Sequence, residues 1–173
     1  MVTSSRSTTG SDRVVVFACG NADRGDDAVA ARSVEHLRLQ ADGAVEVRIS
    51  DAIEPDELAR LSPGERVVIV DAVSGVSPGS IVMSDLRDID RLGPVMQASS
   101  THQLPLPQVV GLASVLRGVP LEGRFIGIGI ENVEPGHDLS PAVLAGLPAL
   151  RQTIDIVTEE LAAGDDRRRA EPR

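Results

Sequence analysis

Lysine, tryptophan and tyrosine are absent from this 173-residue chain, and cysteine occurs once, so all 17 basic residues are arginine. Without lysine there is no Schiff-base amine and no phosphate-loop cation; without tyrosine there is no phenolic acid. The one thiol, Cys19, forms no internal disulfide, in keeping with a reducing compartment, and inside an apolar run its expected role is a small core residue. Long apolar runs are missing as well. None approaches the ~20 residues of a membrane span, and the N-terminus lacks the apolar segment of a secretory signal. Cationic excess is also lacking: a net charge of −9 disfavours nucleic acid and anionic membrane as partners. The Arg167–Arg169 triplet stands beside Asp165 and Asp166 and reads as a solvated tail. These exclusions predict a cytoplasmic protein whose chemistry comes from Asp, Glu, His, Ser, Thr, Cys or Arg.

What is present suits one domain with a real core, since 42% of the residues are hydrophobic. Residues 1–12 are Ser/Thr-rich and 164–173 are charged, so both read as disordered tails around a single folded body at 13–163. Strand and helix patterns alternate along that body. Strands are expected at Val14–Cys19, Val45–Ser50, Arg66–Val73, Ser80–Met83 and Phe125–Ile130. Helices are expected from Asp26 through Leu37, at Pro55–Leu61, within Leu106–Leu116 and at Pro141–Leu161, the last started by Ser140-Pro141 and kinked at Pro148. This order predicts an α/β fold of three layers: a twisted, mostly parallel five-stranded sheet with helices on both faces. The Gly75–Gly79 turn is too short for a parallel crossover, so the fourth strand is expected to run antiparallel to the third.

The most informative segment is Gly20-Asn-Ala-Asp-Arg-Gly-Asp-Asp27, directly after the first strand. It places a tight turn and a carboxylate pair at the start of an amphipathic helix whose Ala30, Val34 and Leu37 share a face. Capping of free helix amides is the simplest account of Asp26 and Asp27. The carboxyl edge of a parallel sheet is, however, where open α/β folds place ligands. Asp51 follows the second strand, Asp71 ends the apolar run of the third, and His102 lies in the Ser99–Leu104 loop, so a parallel sheet gathers all of them with Asp27 at that edge. Two carboxylates and an imidazole suit an incomplete shell for a divalent ion such as nickel or zinc. Taken singly, Asp71 is accounted for as a strand-end turn residue and His102 as a loop histidine bonded to water or backbone.

Three familiar motifs fail on mechanics. Gly75-Val-Ser-Pro-Gly79 spells a nucleophile elbow around Ser77, but Pro78 has no N–H to serve an oxyanion and a strand follows. A phosphoacceptor switch would use Asp71 with Ser99 or Thr101, but it needs a lysine that this chain lacks. Gly127-Ile-Gly129 is half a dinucleotide fingerprint, with Asn132 in place of the third glycine, and reads as a core strand.

Taken in order, Gly20-Asn21 with Asp26-Asp27, Val70-Asp71-Ala72-Val73 with Pro78-Gly79, Ser99 to His102, and Glu134-Pro135 before Leu139-Ser-Pro-Ala resemble the hydrogenase maturation protease family, over about Val14 to Leu161. Members are endopeptidases that remove a C-terminal peptide from the large subunit of nickel–iron hydrogenase once nickel has been inserted. The resemblance implies an aspartic-type peptidase with Asp27 and Asp71 as catalytic carboxylates and Asp27, Asp71 and His102 as metal contacts. It also implies a substrate groove near Asn21, Asp51 and Thr101. Nickel would be supplied by the substrate, with no tightly bound cofactor, and the partner would be the large-subunit precursor. A non-enzyme alternative is a nickel-dependent checkpoint protein that binds the precursor without cutting it. Two segments depart from the family's glycine-rich spelling: Ala28-Val29-Ala30 after the acidic pair, and Asp51-Ala-Ile-Glu54 after the second strand. Pro105 and Pro107 stiffen the entry to the helix after His102.

Overall fold

A computed structural model describes residues 13–39, 44–92 and 104–170, with backbone alone for 164–170. Five strands, β1 (Val14–Cys19), β2 (Val45–Ser50), β3 (Arg66–Val73), β4 (Ile81–Asp85) and β5 (Gly123–Gly129), form one sheet in the order β2-β1-β3-β5-β4. The first four positions are parallel, and β4 runs antiparallel along the β5 edge. The antiparallel partner is therefore β5 and not β3, as the short turn had suggested. Neighbouring strands lie about 4.8 Å apart, and the connection from Val73 to Ile81 spans two such spacings, leaving a slot that β5 fills. Gly79 N–H donates to the Gly129 carbonyl and Gly129 N–H to the Ser80 carbonyl, both at 2.8 Å, which sets β4 against β5.

The helices are α1 (Val29–Ser33), α2 (Pro55–Ala59), α3 (Leu106–Arg117) and α4 (Pro141–Ala170). Side-chain alternation along the strands feeds two cores, one on each face. Val14, Val16 and Ala18 of β1 with Val68, Val70 and Ala72 of β3 pack under α1 and α4. Val15, Phe17 and Cys19 with Val67, Ile69 and Val73 pack under α2 and α3. All six β1 residues are buried, each large aliphatic one worth about 1.5–3 kcal/mol of burial.

The expected helix after β1 is broken into a 3-10 turn at Gly25–Ala28, α1, and a second 3-10 turn at Leu37–Leu39. Ala30, Val34 and Leu37 still face the core as the periodicity requires. The break lies where Val34 N–H bonds Ala31 and Leu37 N–H bonds Val34, both three-residue steps, and where the Ser33 hydroxyl donates back to the Ala30 carbonyl at 2.7 Å. A short 3-10 helix at Leu86–Leu92 follows β4 and was not anticipated. At the other end α4 continues past Leu161 to Ala170, so residues 164–170, read from composition as tail, are helical backbone. Among the described residues no helix is long and apolar enough to cross a membrane.

Candidate active site

The site is built at the carboxyl edge of β1 and β3. Parallel register pairs Ala18 with Val70, which brings Cys19 beside Asp71 one step later on the neighbouring strand. Gly20 then turns the chain with φ +134°, and a Cβ there would stand 2.1 Å from the Asp27 carbonyl oxygen. Only glycine permits that approach. The turn returns Asp27 to the strand end, where its Oδ2 accepts the Asn21 N–H at 2.9 Å. The Asn21 side chain in turn accepts the Asp23 N–H at 2.9 Å, an Asx turn that shapes the segment.

The environment of Asp71 is unusual for a carboxyl group. It is half-buried near the carboxyl end of β3, between the apolar Val67–Val70 run and Ala72-Val73, and burial pushes its pKa up from 3.8 to about 8. The Ala72 N–H, donating to Oδ1 at 2.8 Å, opposes the rise, and the negative charge of Asp27 adds to it. Asp71 is thus a proton-bearing acid near neutrality, coupled to a second acid from the adjoining strand end. The Cys19 thiol shares this corner: burial pushes it well above its ordinary value, and the charges of Asp71, Glu57 and Asp27 push it further.

A raised folded-state pKa has a definite sign. The folded protein holds a proton that the unfolded chain releases, so Asp71's contribution is intact below pH 3.8 and is lost as pH rises to about 8. The urea midpoint of the wild type, measured against Asp71→Asn, is expected to fall steadily between pH 4 and pH 8. A difference that stays flat across that window would contradict the protonated state.

Asp26 behaves otherwise. It is fully buried, and its carboxylate accepts the backbone N–H groups of Glu131 (3.1 Å), Asn132 (3.0 Å) and Ser140 (2.6 Å). Burial raises its pKa, but these donors outweigh it and hold the group below its ordinary value. The capping account of the acidic pair therefore fails for Asp26, whose partners lie more than a hundred residues away. No short-range pattern carries that information, and sequence reasoning missed the role.

Of the other candidates, Asp51 is exposed just beyond β2, at the same edge, since Cys19 pairs with Ser50. Thr101 and His102 lie outside the described residues. Among the described residues no group of three or more His, Cys, Asp and Glu is set to hold a metal ion. The structure thus brings Asn21, Asp27 and Asp71 together, with Asp51 on the rim.

Comparison with known proteins identifies the fold and the family. The family model for hydrogenase maturation protease matches residues 34–156. The hydrogenase 2 maturation protease of Escherichia coli is 29% identical over 156 residues, covering 85% of this chain and 92% of that protein. Among solved structures, the hydrogenase maturating endopeptidase HybD from E. coli superposes with a TM-score of 0.68 at 26% identity, covering 86% of this chain and 93% of the other. The [NiFe] hydrogenase maturation protease HybD from Thermococcus kodakarensis gives 0.65 at 26% identity, covering 84% and 99%. With fold and family model in agreement, the chain belongs to the hydrogenase maturation protease family.

Proposed function

We propose that the protein is an endopeptidase that removes the C-terminal peptide of a nickel–iron hydrogenase large-subunit precursor after nickel insertion. The observation that carries this reading is the pairing of Asp27 with Asp71 at one strand edge of a chain in this protease family. Peptide hydrolysis needs an activated water and a proton for the departing nitrogen. In this reading Asp27 takes the proton from water as it adds to the scissile carbonyl. Asp71, protonated near neutral pH, then protonates the leaving amine as the C–N bond breaks. The products are a new carboxyl terminus and a free peptide, with one water consumed.

Nickel enters as part of the substrate. Two oxygen donors set close enough to repel suit a divalent cation, which relieves that repulsion. In the alternative, metal-contact version Asp71 gives up its proton and, with Asp27 and His102, would hold the ion, which when bound supplies Lewis-acid polarisation and a more acidic water. Contact with a nickel seated in the precursor makes recognition depend on prior insertion.

Intact-mass analysis of a precursor incubated with the protein tests this. The expected result is loss of a C-terminal peptide from the nickel-loaded precursor and none from the nickel-free form. Binding of the loaded form with no mass change would replace the endopeptidase with a checkpoint protein.

A further inference from the structure

The two consecutive aspartates divide the work, and the reason lies in how Asp27 is attached to the fold. From β1 it is reached through the Gly20–Gly25 turn, and its 3-10 helix lies against β3 and runs on into α1. Its own carboxylate is braced by the Asn21 N–H, but Asn21 belongs to the same turn and moves with it. Inside the four-residue 3-10 helix the bonds are local, Asp27 N–H to the Arg24 carbonyl at 3.0 Å among them.

Asp26 supplies a tether of its own. Its carboxylate binds Glu131 and Asn132 at the exit of β5 and Ser140 at the entry of α4, and its own N–H donates to the Asn132 carbonyl at 2.8 Å. The exit of β5 is itself tied to β3: Ile130 N–H donates to the Val73 carbonyl at 3.1 Å, and Gly127 is in register with Asp71. Gly25, at φ +50°, closes the contact, since a Cβ there would stand 2.8 Å from the Asn132 carbonyl oxygen. A ring thus runs from β1 through β3 and β5, across Asp26 and back to Asp27, with the site in its interior.

We propose that Asp26 is a positioning residue for the cleavage reaction: by binding three backbone N–H groups beyond β5 it fixes the turn that presents Asp27 to Asp71. It touches neither substrate nor reacting atoms. A neutral amide is a poor replacement, because Oδ2 takes two N–H groups and Oδ1 a third, and Asn must turn its NH2 toward at least one of these donors. The 3-10 turn then shifts as a unit, and misplacement of a reacting group by about 1 Å costs on the order of 100-fold in rate.

The test is Asp26→Asn, assayed at a temperature where circular dichroism shows it folded. The activity arm rests on the endopeptidase reading; a second arm does not. Expected are a fall in cleavage per folded molecule of about 30-fold or more and retained precursor affinity. In the second arm, hydrogen exchange at the Asn21 amide, which reports the Asp27 contact, is expected to be about ten times faster than in wild type. Cleavage per folded molecule and Asn21 protection both within about two-fold of wild type would overturn the proposal and leave Asp26 a stability determinant alone. If wild type fails to cleave any precursor, the endopeptidase reading falls and the Asn21 amide still decides the positioning role. Should Asp26→Asn not fold, Ser140→Pro removes one of the three donors and leaves the carboxylate. A smaller loss in the same two readouts is expected there, and no change in either would overturn the assignment.

Discussion

Asp71→Asn is expected to lower precursor cleavage by about 100- to 10,000-fold, the range associated with a positioned acid or base, without unfolding the protein. The two halves of that expectation have separate causes. Asparagine keeps the shape and the oxygen that accepts the Ala72 N–H, and it removes a group whose burial and acidic neighbour oppose ionisation. Stability near pH 8 should therefore hold or rise, so lost activity cannot be blamed on lost fold. What disappears is the transferable proton and the anionic oxygen available to a metal. Asp27→Asn is expected to have an effect of similar size, and the double variant should be little worse than either single one, because members of a catalytic unit are not additive. Single-turnover cleavage of the nickel-loaded precursor is the measurement. Full processing by either single variant would remove both the acid–base and the metal-contact versions of the mechanism.

Gly20→Ala is expected to be the most damaging one-methyl change near the site, at about 3 kcal/mol or more, from a strained backbone plus an overpacked contact. Its φ of +134° is unsuited to an L side chain, and the added Cβ would lie 2.1 Å from the Asp27 carbonyl oxygen. That oxygen is backbone and has no side-chain freedom to retreat. For a domain of this size the melting temperature should drop by roughly 6–12 °C. Gly111→Ala makes a direct contrast. It sits within α3 with nothing within 4 Å of the added atom, so alanine should stabilise by about 0.5–1 kcal/mol through helix propensity. Thermal unfolding of the two variants checks both signs, and equal shifts would show that the geometry at Gly20 does not govern the cost.

The parallel centre of the sheet was legible because β1 and β3 carry short apolar runs and β2 alternates apolar with polar residues. The bounds of β1, β2 and β3 follow from those local patterns. The edge was harder. β4 and β5 are offset from their expected limits, and which strand receives β4 depends on a crossover through α3 that no local pattern records. The break after β1 was hidden for another reason: a 3-10 turn and an α-turn put the same residues on the same face, so periodicity describes the burial of Ala30, Val34 and Leu37 without describing the backbone. Within the candidate site, Asp71 was legible as the carboxylate that closes the apolar run of β3, and Asp27 as one of an acidic pair at the helix start after β1. Asp26 was not, because its three donors are reached only after β5 has been threaded beside β3.

One last property follows from the placement of Cys19. The thiol is 6% exposed at the mouth of the second core, and burial with three nearby acids keeps it protonated well above its ordinary range. Alkylating reagents attack the thiolate and need access to it, so the native molecule should resist them and react only when β1 is released from its neighbours. In a chain without indole or phenol, whose fluorescence would otherwise follow unfolding, this sulfur becomes a built-in clock: its labelling rate counts how often the strand beneath the candidate site opens.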